Sequence, residues 1–299
     1  MGENGCVLDD VIRYLVCPYC GALVACDGGS IRCTAGHVFD IARQGYVNLL
    51  PTGARRHHGD TAAMVQARAD FLAAGHYAGI AADVARAAAD AVTTLEDQGC
   101  VIDVGAGTGY YLAAVVDRLP DRVGLALDVS KFALRRAARA HERIGAVGCD
   151  AWRRLPVTDS AAVVLVNIFA PRNGAELRRV INPAGRLLVV TPTRDHLSEL
   201  VQPLALLTID ERKDERLAEK LTPYFDLVER WEHRSTLTLD RKDVAAVVAM
   251  GPSAWHAAPD ALADRIGQLP DPMPTTLAVT LSTFRPSDGR LRALSGFLQ

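Results

Sequence analysis

The sequence lacks any run of ~20 uncharged apolar residues, so no segment is suited to cross a bilayer as a helix. Its opening, Met1-Gly2-Glu3-Asn4-Gly5-Cys6, is acidic where an export signal is basic, and position 6 lacks the Ser or Thr of a myristoylation site. A cytoplasmic protein with no membrane partner is the expectation. An excess of one charge is missing too. A net charge of −2 provides no global field for nucleic acid, so any such contact must come from a local patch. With no export signal, the seven cysteines read as metal ligands or free thiols rather than disulfides. What is abundant is apolar character: 299 residues at 49% hydrophobic content suffice for one large domain and a smaller attachment.

Four residues stand in the pattern C-x2-C-x12-C-x3-H: Cys17, Cys20, Cys33 and His37. Two knuckle-like pairs at this spacing aim four ligands at a tetrahedral ion, and Gly28-Gly29 between them predicts a hairpin that brings the pairs together. All four positions are filled by protein, so a zinc ion here is structural rather than catalytic. Cys6 and Cys26 fall outside the spacing. Residues 1–50 are assigned to this zinc-binding module, 51–95 to a linker and packing helices, and 96–299 to a catalytic domain. Within the linker, Arg55-Arg56-His57-His58 reads either as solvated loop or as a phosphate-gripping segment for RNA, in which Arg55 and Arg56 make the contacts.

The second signal is Val101–Tyr111, Val-Ile-Asp-Val-Gly-Ala-Gly-Thr-Gly-Tyr-Tyr, a strand ending on Asp103, a glycine loop and a helix start. Glycines 105, 107 and 109 let the backbone approach a ligand, though the same loop can be only a structural turn. The spacing is one residue short of the dinucleotide fingerprint Gly-x-Gly-x-x-Gly, so nicotinamide is not the first reading. Strand and helix then alternate, which implies a parallel sheet covered on both faces. Asp128 ends the next strand, 19 residues past Gly109, where a carboxylate accepts from ribose hydroxyls. Asp150-Ala151 follows a third strand and suits the exocyclic amine of adenine. Leu227–Leu239 and Thr275–Phe284 read as an antiparallel pair closing the sheet, Arg212–Lys220 as a charged solvated helix and Met250–His256 as a loop. A nucleoside with a short charged tail and no pyrophosphate points to S-adenosylmethionine, and the fold class expected is α/β: a Rossmann-like class I methyltransferase with a seven-stranded, mostly parallel sheet.

Two absences narrow the target atom. Asn167-Ile168-Phe169-Ala170-Pro171 does not meet the Asp/Asn-Pro-Pro-aromatic pattern common in amino-group methylation of adenine, and no cysteine near that strand could activate a pyrimidine ring. Attack by a ring nitrogen stays open. Asn167 is the candidate to orient a base, by position alone, and Asp60 a remoter one. His76-Tyr77 reads as packing, and His196 as a histidine that a helix start could return to the ligand.

Cys17-Pro18-Tyr19-Cys20 with its second pair, Gly36–Leu50, Gly59–Arg68, Phe71–Tyr77, Asp103–Tyr111 and Leu127–Lys131, in this order, resemble the RlmA-type 23S rRNA guanine-N1 methyltransferases, whose Gram-positive branch includes enzymes of tylosin and mycinamicin resistance. The resemblance is dense over residues 15–200 and looser beyond. It implies zinc on Cys17, Cys20, Cys33 and His37; cofactor contacts from Tyr77, Gly107, Thr108 and His196, reversing the packing reading of Tyr77; 23S rRNA as partner; and a homodimer with two zinc modules flanking an RNA cleft. A small-molecule methyltransferase and a non-catalytic zinc-bearing RNA-binding protein are the competing readings.

Overall fold

The computed structural model describes residues 7–51, 59–93, 99–206, 220–251 and 259–287. Arg55 and Arg56, most of Arg212–Lys220 and most of Met250–His256 lie outside them.

Gly28-Gly29 turns the expected hairpin: β1 (Val24–Asp27) pairs antiparallel with β2 (Ser30–Cys33), and β3 (Val38–Asp40) adds to β2. This small sheet has little core, since most of its side chains are exposed or half-exposed. What flanks it in sequence belongs elsewhere. Helix α1 (Val7–Val11) lies on β7 (Ile144–Gly148), with Val11 so close to Gly145 that a Cβ there would stand 2.3 Å from its Cγ2. Leu15 bridges to Val157, and both are fully buried. Side chains such as Val11 and Leu15 contribute about 1.5–3 kcal/mol each by burial, which fixes this stretch to the large domain. After the ribbon, β4 (Tyr46–Asn48) pairs parallel with β7. Both ends of the residue 1–50 module are therefore part of the large domain's structure.

The main sheet carries one strand more than expected, because β4 is added at its edge. Its further strands are β5 (Cys100–Val104), β6 (Gly124–Asp128), β8 (Ala162–Ile168), β9 (Ile181–Pro192), β10 (Phe225–Leu239) and β11 (Met273–Pro286). The order is β10-β11-β9-β8-β5-β6-β7-β4. β4 through β9 run parallel, and β10 and β11 are the anticipated antiparallel pair. β5, β7 and β8 are buried along their full length, as apolar strands covered on both faces must be. Helices α2 (Ala62–Ala73), α3 (Ala78–Val92), α4 (Tyr110–Arg118), α5 (Lys131–Ala137), α6 (Gly174–Val180), α7 (Ser198–Leu204), α8 (Arg241–Ala249) and α9 (Pro259–Gly267) supply the helical layers. α2 begins at Thr61, whose Oγ1 accepts from the Met64 N–H, and α5 at Ser130, whose Oγ accepts from the Ala133 N–H. No described helix is long and apolar enough to cross a membrane.

Candidate active site and zinc centre

The carboxyl ends of β5, β6 and β8 meet where the strand order reverses, the place an open α/β sheet offers a ligand. A cavity of about 920 Å³ opens there. Its floor is the glycine loop. Gly105 takes φ +82°, and a Cβ on it would come 2.4 Å from that of Ala170, so both conformation and space demand glycine. Gly109, at φ +81°, begins α4. The Gly107 N–H donates to Asp128 Oδ2 at 2.8 Å and the Ser130 N–H to Oδ1 at 2.8 Å, so Asp128 ties the loop to the end of β6. Burial raises the Asp128 carboxyl, and these two N–H donors oppose that shift.

Asp103 sits below the loop, 2% exposed. Burial, and then the Asp128 charge, push its carboxyl up to about 8. Its Oδ1 is buried with no hydrogen-bond partner, an orphan that a ligand ammonium would satisfy. Asp150 ends the next turn, its Oδ1 accepting from the Trp152 N–H at 3.0 Å. Gly105, Gly107, Thr108, Asp128, Asp150, Ala151, Tyr77 and His196 all line the cavity with Asp103. These groups fit S-adenosylmethionine: a close-approach loop for the methionine portion, a carboxylate for its ammonium, one for the ribose and one for adenine. Burial and the neighbouring Asp128 and Asp150 raise the Cys149 thiol, which also faces the cavity, so it is no thiolate nucleophile at neutral pH.

Tyr77 is both packed and functional in placement. It is 3% exposed, edge-on to Phe71, yet its hydroxyl stands 3.1 Å from His196 Nε2 at the cavity wall. His196 Nδ1 accepts from the Ala278 N–H at 3.4 Å, which leaves Nε2 as the ring's donor to Tyr77.

Asn167 departs from the expectation that it orients a base. It is fully buried and does not line the cavity. Its Nδ2 donates to the Val104 carbonyl at 2.9 Å and the Pro171 carbonyl at 3.0 Å, binding the loop after β8 to the end of β5. The strand's alternation turns this side chain beneath the loop, so it braces the wall rather than touching a substrate. Ile168, Phe169, Ala170 and Pro171 line the cavity instead, and Phe169, at φ +52° and 41% exposed, has its ring stacked 6.1 Å from His196. Sequence reasoning passed over Phe169, and a non-glycine residue in this conformation has no sequence signal. It passed over Arg68 also. From α2 this side chain reaches Asp60, donates to the Met250 carbonyl at 2.8 Å, and lies over Gly107. Asp60 lines the cavity with its carboxylate on Arg68.

In the ribbon, the four ligand atoms of Cys17, Cys20, Cys33 and His37 lie within 4.8 Å of one another. Zn–S near 2.3 Å and Zn–N near 2.0 Å put tetrahedral edges at about 3.8 Å (S to S) and about 3.5 Å (S to N). Cys20 Sγ to Cys33 Sγ is 3.7 Å, and His37 Nδ1 is 3.5 Å from Cys17 Sγ and 3.3 Å from Cys33 Sγ. The donors fit a structural zinc bound through Nδ1, and the His37 N–H donates back to Cys33 Sγ at 3.3 Å.

Residues 15–58 match the family model of the RlmA N-terminal zinc ribbon. The chain is 53% identical over 292 residues to a Micromonospora griseorubida protein provisionally named a 23S rRNA (guanine-N(1)-)-methyltransferase, covering 93% of this chain and 99% of that one. It is 49% identical over 282 residues to the 23S rRNA (guanine(748)-N(1))-methyltransferase of Streptomyces fradiae, covering 93% and 98%. A Bacillus subtilis protein, provisionally given the same activity, is 28% identical over 252 residues, covering 82% and 88%. Identity of about one residue in two, held from the ribbon through the donor cavity to the closing strands, makes this chain a member of the 23S rRNA (guanine-N1)-methyltransferase family.

Proposed function

We propose that this protein methylates N1 of one guanine in a hairpin loop of 23S rRNA, as a cytoplasmic homodimer, and that the methyl group protects the ribosome against a macrolide. Near-complete coverage of the Streptomyces fradiae enzyme carries the reading, and the nucleotide corresponding to its guanine 748 is the target. The ribbon recognises RNA, the segment 51–95 contributes Gly59, Asp60, Arg68, Leu72 and Tyr77 to the cavity, and the sheet domain from residue 96 holds the donor.

S-adenosylmethionine supplies an electrophilic methyl group on a sulfonium. Asp103 takes the ammonium of its methionine portion, Asp128 the ribose and Asp150 with Ala151 the adenine, while Arg68 over the glycine loop suits the carboxylate. Tyr77 and His196 close the wall beside Phe169. The ring of Phe169 offers a flat face for a guanine swung out of its loop, since unstacked bases rest on aromatic side chains. Guanine N1 bears a proton at neutral pH, so as the N1–methyl bond forms and the sulfur–methyl bond breaks, that proton must leave. Asp60 is the cavity-lining carboxylate that the donor does not use, and it is suited to receive the proton once guanine draws it from Arg68. Alignment of N1 with the methyl group supplies much of the rate.

The test is transfer of labelled methyl to 23S rRNA, mapped by reverse-transcriptase arrest, which N1 methylation causes by blocking the pairing edge. A single arrest at the guanine 748 equivalent is expected. Label on free metabolites but not on rRNA would overturn the proposal.

A further inference from the structure

A second and larger hollow, about 1420 Å³, lies on the outer face of the helical layer, outside the donor cavity. Its floor is the outward side of α4, where Ala113 and Ala114 leave the helix backbone close to the surface. α3 and α5 form its walls, and α2 closes one end. Five arginines line it: Arg86, Arg118, Arg135, Arg136 and Arg139. Asp117 is the sole carboxylate among the lining residues, and it is engaged by His141 at 3.0 Å.

These arginines are poorly consumed by the fold. Arg86 pairs with Asp83, and Arg136 donates to Gln66. Arg135 lies 5.6 Å from the Phe132 ring centre, its Nε buried without a hydrogen-bond partner. Arg118 and Arg139 are exposed and make no ion pair among the described residues. Arg135 stands on α5 and Arg139 in the turn that follows it, and both line the hollow. In a chain of net charge −2, such a concentration of planar, multiply donating cations is a local field of one sign.

The furrow adjoins the donor cavity, since Leu72, Thr108 and Tyr110 line both. A strand whose base enters the cavity therefore has the furrow beside it. We infer that this arginine-walled furrow seats the ribose-phosphate backbone of the unpaired rRNA strand next to the target guanine. The inference rests on rRNA being the substrate. The alanine floor admits the sugar, and the wall arginines meet the phosphates with forked, charge-assisted hydrogen bonds.

The experiment is binding of a 23S rRNA transcript by full-length wild type and by Arg118→Gln/Arg139→Gln as potassium chloride is varied. Two lost contacts to an unpaired strand lower the slope of log affinity against log salt by about 1.4, which is roughly 25-fold in affinity at ~0.1 M salt. The KM for rRNA should rise in step, while kcat at saturating rRNA, S-adenosylmethionine affinity and Tm stay at wild-type values. The Arg118→Lys/Arg139→Lys variant should keep the slope. An unchanged slope overturns the inference, and so does a change in oligomeric state at constant slope, which would make the furrow an interface between copies. A wild-type protein that fails to methylate rRNA refutes the functional proposal itself, whereas active wild type with an unaffected variant refutes only the furrow.

Discussion

The zinc ribbon and the main sheet hold their residues in place by different physics. In the ribbon, strands of three or four residues expose most of their side chains, and four ligand atoms within 4.8 Å of one another stand where a core would be. In the sheet, β5, β7 and β8 are buried throughout, and the residues that face the ligand hang from their ends. One region depends on a bond to an ion and the other on apolar area removed from water, so each should fail without the other.

Metal loss breaks the comparison most sharply. Structural zinc supplies about 10–16 kcal/mol in small zinc domains, so chelation or Cys17→Ser should unfold residues 24–40. Hydrogen exchange should show protection lost there and kept in β5 through β9, with S-adenosylmethionine still bound and rRNA methylation lost. Gly105→Ala attacks the other side. A left-handed φ costs about 1–2 kcal/mol and the collision with Ala170 about 1–3, so the large domain should lose roughly 3 kcal/mol in urea and its affinity for the donor, with zinc content unchanged.

Asn167→Ala is a smaller step. It strips the buried Val104 carbonyl of its side-chain donor, at about 1–3 kcal/mol before relaxation, and frees the exposed Pro171 carbonyl to water. Turnover should fall while S-adenosylmethionine affinity and the pH profile hold, because the residue positions the Phe169 loop and exchanges no proton. The effect of Asp103→Asn depends on pH. The folded Asp103 titrates near 8 against 3.8 for a free carboxyl, so the fold holds an extra proton between these values. Stability from this group is intact below about pH 4 and is lost as pH rises through 8. Without cofactor, wild-type Tm should therefore decline relative to the variant from pH 5 to 8.5, and donor affinity in the wild type should rise over the same range. A parallel Tm profile for the two proteins would remove Asp103 from the role given to it.

The donor half of the site was legible in the chain because its signals are local. A strand, a glycine at each forced position and a carboxylate at the next strand's end stand within thirty residues and declare their geometry by spacing. The zinc ligands are legible for the same reason. The cavity wall after β8 was not. Phe169 reaches the cavity through a positive φ that no residue type announces, and Asn167, a candidate to orient a base by its place at the strand end, is turned under the loop by strand alternation. Tyr77 is packed, as its periodicity suggests, and only its hydroxyl, with a partner 119 residues away, links it to the cavity wall. The edge strand β4 escaped notice likewise, being three residues long with a partner strand a hundred residues later. Its segment reads as ribbon in sequence and as sheet in space.

That edge strand changes how the ribbon should be pictured. The excursion leaves the large domain beside Leu15, which bridges to Val157, and re-enters it at β4, which is zipped to β7. Two pins on the same flank of one rigid body allow far less swing than a single tether would. These pins hold the ribbon at a set place on the large domain, so under the proposed function the span from the ribbon to the methyl group is set by the core, and the nucleotide methylated would be the one lying at that distance from the RNA the ribbon holds.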